Sequence, residues 1–234
     1  MRLPLTPFGR REILLHGGLA LGLTVLISAG ARLGGFPALS ALAVVPAALL
    51  VFTIQFFRDP ERTAPGGPET IVSPADGTVV EVVEVTENEF IGGQALRVGI
   101  FMSPFNCHVN RFPVDGVVGK VVHRAGKFLK AYDPRAIAEN EASITGIRAA
   151  LDGREIPILL RQVSGIAARR IVNPLAPGDR ARRGERFGMI KFGSRCELFL
   201  PKDSGFELAV ELGQKVYAGE TVIARYAAVT AGVR

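Results

Sequence analysis

Two long apolar runs open the chain, and short alternating ones fill the rest. Ile13 to Gly30 and Phe36 to Phe57 carry almost no charge over 18 and 22 residues. At about 1.5 Å per residue, the second run makes a helix of roughly 33 Å, enough to cross the hydrocarbon core of a bilayer. The first is shorter, carries His16 and several glycines, and reaches that length only marginally. Pro46 inside the second run predicts a kink or a shallow re-entrant hairpin. Arg10 and Arg11 precede the first run, Arg58 and Arg62 follow the second, and Arg32 alone lies between them. Because positive charge stays on the cytoplasmic side, this asymmetry predicts a two-helix hairpin with both ends in the cytoplasm. A cleaved signal peptide accounts for the first run but leaves the second unexplained. A hairpin lying in the interface is the alternative to one that spans.

Thr63 to Pro68 reads TAPGGP, a linker that sets a membrane-associated hairpin of residues 1–62 apart from a domain of residues 63–234. From Glu69 onward Val, Ile and Thr come in short runs broken by Gly, Pro and Asp. That punctuation predicts a mainly β body of many short antiparallel strands. Asp133 to Asn140 is the one stretch that reads as a short helix. Two internal repeats emerge. Pro74-Ala75-Asp76-Gly77-Thr78-Val79 is echoed by Pro113-Val114-Asp115-Gly116-Val117-Val118, and Gly178 with Gly184 by Gly213 with Gly219. The glycines of each pair are six apart, and such D-G and G-E turns predict tight hairpins, since Gly takes positive φ at no steric cost. The second repeat resembles the barrel-sandwich folds of lipoyl and biotinyl carriers. A carrier presents a modifiable lysine on its hairpin, whereas Lys191 runs on toward Gly193-Ser194, so the fold likeness brings no carrier function with it.

Composition sharpens this picture. Hydrophobic residues make up 48% of the 234, and the excess lies before Phe57. The net charge of +6 is arginine-rich, without the interleaved aromatics of a nucleic-acid surface, and suits an anionic membrane instead. Cys107 and Cys196 are the only cysteines, and a domain of this size needs no such staple, so both read as reduced thiols in a cytoplasmic compartment. With three histidines and no C-x-x-C pair, no metal-ligand cluster can be drawn.

Phe192-Gly193-Ser194-Arg195 lies between two strand-like runs, Phe187 to Ile190 and Cys196 to Leu200. A Gly-Ser pair between strands is ordinarily a turn. Its surroundings say more. The segment from Glu185 to Ser194 (ERFGMIKFGS) resembles the processing segment of the phosphatidylserine decarboxylase proenzyme family in its short form. So do Ser73 to Gly77 (SPADG), Met102 to Pro104 with Cys107 to Arg111 (CHVNR), Gly126 to Leu129 (GKFL) and Ala168 to Val172 (ARRIV). Order and spacing agree from about Arg58 to the C-terminus.

The resemblance implies a self-cut between Gly193 and Ser194, giving chains of residues 1–193 and 194–234 that stay together as a heterodimer. It implies that Ser194 becomes a pyruvoyl cofactor, which forms a Schiff base with phosphatidylserine and releases carbon dioxide and phosphatidylethanolamine. The site of action would be the cytoplasmic face of the cell inner membrane, with the anionic lipid surface as partner and no nucleic acid. By the same resemblance His108 is the proton donor and shares in self-cleavage, and Asp76 assists. The longer bacterial form carries a second histidine where this chain has Arg111, so His108 serves both steps, or His123 or a water substitutes. Arg111 stays protonated and is no base; its fork suits a carboxylate or phosphate of the substrate. Lys127, Arg169 and Arg170 are further candidates for the headgroup. A membrane-tethered lipoyl-like binding module, or a pyruvoyl decarboxylase of another amino-acid-headed lipid such as archaetidylserine, is the alternative.

Overall fold

The computed structural model describes residues 4–127, 129, 139–165, 170–191 and 194–227. The chain divides into two compact units, Met1–Glu61 and Arg62–Arg234.

The first unit is a hairpin of two helices, α1 (Pro7–Leu33, 27 residues) and α2 (Pro37–Phe56, 20 residues). Its open end is tied together. The Thr6 N–H donates to the Phe57 carbonyl at 2.9 Å, the Asp59 N–H to the Pro4 carbonyl at 2.6 Å, and Leu5 pairs with Arg58. A Cβ on Gly9 would fall 2.0 Å from the Phe57 ring, so the bare backbone there is what lets the ring close the hairpin. Helix α1 is longer than its apolar run. The Thr6 hydroxyl caps its start, and the polar turn at Arg10, Arg11 and Glu12 is continuous with the apolar part. At about 1.5 Å per residue it reaches roughly 40 Å. Pro46 makes no re-entrant turn. Helix α2 begins as 3-10 turns over Pro37–Ala43 and becomes α-helical over Val44–Phe56, so Pro46 falls in the first α turn, where its missing N–H has no partner to lose. Leu14, Leu19, Leu26, Val44, Val45 and Val51 are all more than half exposed on this unit.

The second unit is β-rich, as the valine-rich runs predict. Its strands are β1 (Thr70–Val72), β2 (Gly77–Glu87), β3 (Gly93–Met102), β4 (Val109–Arg111), β5 (Gly116–Arg124), β6 (Ala142–Leu151) and β7 (Arg154–Val163). There follow β8 (Arg170–Val172), β9 (Arg180–Ala181), β10 (Arg186–Lys191), β11 (Ser194–Pro201), β12 (Phe206–Leu208), β13 (Lys215–Val216) and β14 (Val222–Tyr226). A large antiparallel sheet runs β13-β2-β3-β11-β7-β6-β5-β9, and two small ones run β1-β14-β12 and β4-β10-β8. The helix expected over Asp133 to Asn140 falls, but for its last two residues, outside the described residues.

The two sequence repeats interlock as halves of one pseudo-twofold unit. The Val72 N–H donates to the Pro113 carbonyl and the Arg111 N–H to the Pro74 carbonyl, at 2.9 and 3.0 Å. The Gly219 N–H donates to the Ser73 carbonyl and the Gly184 N–H to the Phe112 carbonyl, both at 2.8 Å. Asp76 Oδ1 accepts the Ala218 N–H at 2.8 Å, and Asp115 Oδ1 accepts the Arg183 N–H at 2.9 Å. The D-G steps therefore do not close two-residue hairpins, as the sequence suggested. Each passes the chain from a small sheet to the large one, and its carboxylate caps a glycine turn more than sixty residues away, satisfying an amide that no strand supplies. The TAPGGP segment is fastened rather than loose, because Arg183 donates to the Gly66 carbonyl at 3.0 Å and the Thr70 hydroxyl to the Gly67 carbonyl at 2.7 Å.

Candidate functional site

Side chains alternate across a strand, and β11 shows what each face meets. Cys196, Leu198 and Leu200 turn into the main core with Val98 and Ile100 of β3 and Ile158 and Leu160 of β7. Toward the start of β11 this inward face becomes polar. Ser194 lies there, opposite Met102, and so do Gln162 of β7 and Ser143 and Thr145 of β6. Asn173, just past β8, donates from Nδ2 to both the Ser143 and Thr145 hydroxyls, at 2.8 and 2.9 Å. From β4, Asn110 Oδ1 receives the Gln162 Nε2–H at 2.8 Å. Gly188 of β10 leaves room for this pair: a Cβ there would stand 3.3 Å from Gln162 Nε2 and 2.4 Å from the Val172 carbonyl oxygen.

Ser194 is fully buried, and its hydroxyl donates to Met102 Sδ at 3.3 Å, a weak acceptor. Gly193 and Arg169 lie outside the described residues. His108 is also fully buried, with Nδ1 2.9 Å from the Asn106 carbonyl. A carbonyl only accepts, so Nδ1 carries a proton, and in the neutral form of the ring the lone pair lies on Nε2. The ladder with β10 continues through His108, whose carbonyl receives the Ile190 N–H, and His108 thus shares a face with Asn110, toward the polar patch.

The remaining predicted residues separate. Both carboxylate oxygens of Asp76 are bound by Arg62, at 2.5 and 2.9 Å, in addition to the Ala218 amide. Burial works against the Arg62 charge, but the hydrogen bond and attraction of Asp76 outweigh it and raise its pKa. The sequence had marked Arg62 only as flanking positive charge. Arg111 is buried and donates from Nη1 to the Gly184 carbonyl at 2.9 Å. Lys127 is exposed and pairs with Glu139 at 2.8 Å. Arg170 is exposed at the head of β8, in register with Lys191, two residues before Gly193. His123, the alternative base, is half-exposed near the same end of the sheet and stands 3.0 Å from Glu141 Oε1.

The outward face of β11 holds an ion cluster that sequence reading missed. Glu197, fully buried, accepts from Arg195 Nε at 2.8 Å and from Arg161 Nε at 2.6 Å. Glu81 accepts from Arg97 Nε at 2.8 Å and is also paired with Arg195. Arg161 further lies over the Phe199 ring, 5.2 Å from its centroid. The available signal was alternation: Arg97, Arg161, Arg195 and Glu197 each precede a core-facing residue in a strand-like run. Burial pushes the Cys196 thiol up, with the Glu197 charge adding to it, so that sulfur stays neutral and unreactive. Burial alone would raise Glu81, but its bonds to Arg97 and Arg195 hold it below the ordinary carboxylate range. A depressed folded pKa stabilises above the unfolded value, about 4.3 for Glu, and that stability is lost as pH falls through the folded value. Thermal melts from pH 6 to pH 3 should therefore show a steep acid loss that Glu81→Gln flattens. An unchanged slope in the variant would mean that other carboxylates set the acid limit.

Sequence comparisons identify the relatives of this chain. The family model described as phosphatidylserine decarboxylase matches residues 49–224. The phosphatidylserine decarboxylase proenzyme of Chlorobium limicola is 43% identical over 222 residues, covering 95% of this chain and all of that protein. The proenzyme of the same name from Symbiobacterium thermophilum is 48% identical, covering 79% of this chain and 84% of that one. That from Carboxydothermus hydrogenoformans is 45% identical, over 76% and 81%.

Proposed function

The chain belongs to the phosphatidylserine decarboxylase family, and from that premise we propose that it makes phosphatidylethanolamine from phosphatidylserine at a pyruvoyl group derived from Ser194. The observation that carries this reading is Ser194 itself, a wholly buried hydroxyl directly after Gly193, on the polar end of an otherwise apolar core face. Its only hydrogen bond among the described residues is to a thioether, so structural stabilisation is a poor account of it.

In the uncut chain the Ser194 hydroxyl attacks the Gly193 carbonyl while a base takes its proton, and the amide becomes an ester as the Ser194 nitrogen leaves the carbonyl and is protonated. Loss of the Ser194 α-proton expels the Gly193 carboxylate, and hydrolysis of the resulting dehydroalanine releases ammonia. We assign the base to His108, whose Nδ1–H is held by Asn106 so that Nε2 is the basic atom. Glycine at 193 presents a carbonyl without a side chain to crowd the attack. The pyruvoyl group supplies the electron sink for decarboxylation. His108 returns a proton to the α-carbon, and Arg170, in register with Lys191 two residues before Gly193, contacts the lipid phosphate; Arg169 is assigned to the same headgroup from the family resemblance alone. Lys127 lies further out, and Arg111 serves the framework through Gly184.

The fragment 194–234 carries β11 to β14. Strand β11 lies between β3 and β7, and β14 between β1 and β12, so the small chain stays woven into the large one after the cut. On this reading the enzyme works at the cytoplasmic face of the inner membrane, where its substrate lies; the two long apolar helices support membrane association. A denaturing gel and mass spectrometry of purified protein test the central reading: a 41-residue fragment with a blocked N-terminus is expected, together with conversion of phosphatidylserine. An intact chain would overturn it.

Every assigned side chain lies after Glu61, so the hairpin supplies location rather than chemistry. Removal of residues 1–57 should leave a self-cleaving body with poor activity on bilayers and better retained activity on a soluble short-chain phosphatidylserine. Equal loss on both would mean that the hairpin shapes the site.

A further inference from the structure

Two buried polar groups in the polar patch remain unspent. Among the described residues, Gln162 Oε1 and Ser164 Oγ have no hydrogen-bond partner, although their residues are 1% and 0% exposed. An orphaned buried acceptor is costly, so a fold that keeps two side by side has a use for them in another state.

Their directions follow from the network around them. The Pro74 carbonyl can only accept, and Asn110 Nδ2 donates to it at 3.2 Å, which fixes the Asn110 amide. Asn110 Oδ1 then faces Gln162 and takes its Nε2–H at 2.8 Å, so Gln162 has its oxygen, an acceptor only, left over. Ser164 extends β7 by one residue, its N–H donating to the Glu141 carbonyl at 2.9 Å. Arg195 pairs with Val163, and one step further the antiparallel register sets Ser164 opposite Ser194. Residues 162, 164 and 194 thus share the inward face, and directly opposed Cβ atoms on neighbouring strands lie about 5 Å apart.

The geometry points to Gln162 Oε1 and Ser164 Oγ as a pair of acceptors that receive the N–H groups of a primary amine, the headgroup amine of the substrate, beside the carbon at position 194. This rests on the proposed function and adds the residues that hold the amine. The chemistry fits, because both groups are neutral. They orient an amine by its N–H bonds without a negative charge that would keep it as a non-nucleophilic ammonium. At Gln162 Oε1, an acceptor only, a carboxylate or phosphate oxygen is repelled, so that end of the pair selects an N–H donor.

Calorimetry on the cleaved full-length protein in detergent tests this with two short-chain lipids, phosphatidylethanolamine and phosphatidylethanol, which differ only in the amine. Ser164→Ala should weaken the ethanolamine lipid roughly 3–10-fold, the worth of one hydrogen bond, and leave the ethanol lipid unchanged. Ser164→Thr should restore the difference. Equal weakening of both lipids, or no change in either, would overturn the assignment. Failure of the underlying function would show earlier and separately, as a wild-type chain that releases no blocked 41-residue fragment.

Discussion

Ser194→Ala is expected to leave a single uncut chain with no decarboxylase activity. The variant should fold, because the lost hydroxyl bonds only to Met102 Sδ among the described residues and the smaller side chain creates almost no cavity. It cannot cut, because no other hydroxyl is placed beside the Gly193 carbonyl in sequence, and without the cut position 194 carries no ketone. The loss should be complete rather than graded. A denaturing gel reads the first part and a lipid assay the second; a variant that still divides at this bond would move the nucleophile elsewhere. Ser194→Thr keeps the hydroxyl but adds a methyl at a position with no free surface, so it should cut slowly and ultimately give a 2-oxobutanoyl end, detectable as an added 14 Da.

How much of this was legible beforehand divides along the range of the interactions. The helical hairpin, the β body and the Gly193-Ser194 segment follow from runs and motifs a few residues long, which sequence displays directly. The repeats were legible too, but their meaning was not. Asp76 and Asp115 look like local turn residues, whereas their carboxylates cap amides at Ala218 and Arg183, far along the chain. The same holds for Arg62, whose partner Asp76 is fourteen residues away and belongs to the motif that suggested catalysis. Arg111, chosen because its fork suits a substrate anion, donates to a backbone carbonyl because the β9–β10 turn passes over it. Glu197 lies in the strand-like run after the processing segment, and nothing in that run marks it as the centre of a cluster. Only pairing of β11 with both β3 and β7 shows that three arginines converge on its outward face.

That cluster bears on what the cut does. Arg195 and Glu197 belong to the fragment that would begin at Ser194, while Glu81, Arg97 and Arg161 belong to the large chain. With the proposed cut made, the first residues of β11 would be held by ladder hydrogen bonds on two sides and by this cluster beneath. A new chain end normally frays. Here the reactive carbon would sit one residue from a guanidinium bonded to two carboxylates, which is a physical reason for it to keep its position during turnover.

His108→Ala is the second large expected effect, and it should block both the cut and the reaction. His108 is the one fully buried histidine, its tautomer is set by the Asn106 carbonyl, and it shares the strand face of Asn110 toward the patch that holds Ser194. Neither Arg111 nor the Arg62-bound Asp76 offers a free base nearby. His123 is held by Glu141 on β5, three strands away from β11 in the large sheet, roughly 14 Å at about 4.8 Å per strand. A urea titration alongside the assay separates lost chemistry from lost folding. If the variant folds and still releases the 41-residue fragment, but turns over slower by roughly 10²–10⁴, His108 acts in turnover alone and another group drives self-cleavage. If it cuts and turns over at the wild-type rate, His108 is structural. The acid–base assignment then passes to the His123–Glu141 pair, through a relay long enough to cross two strands.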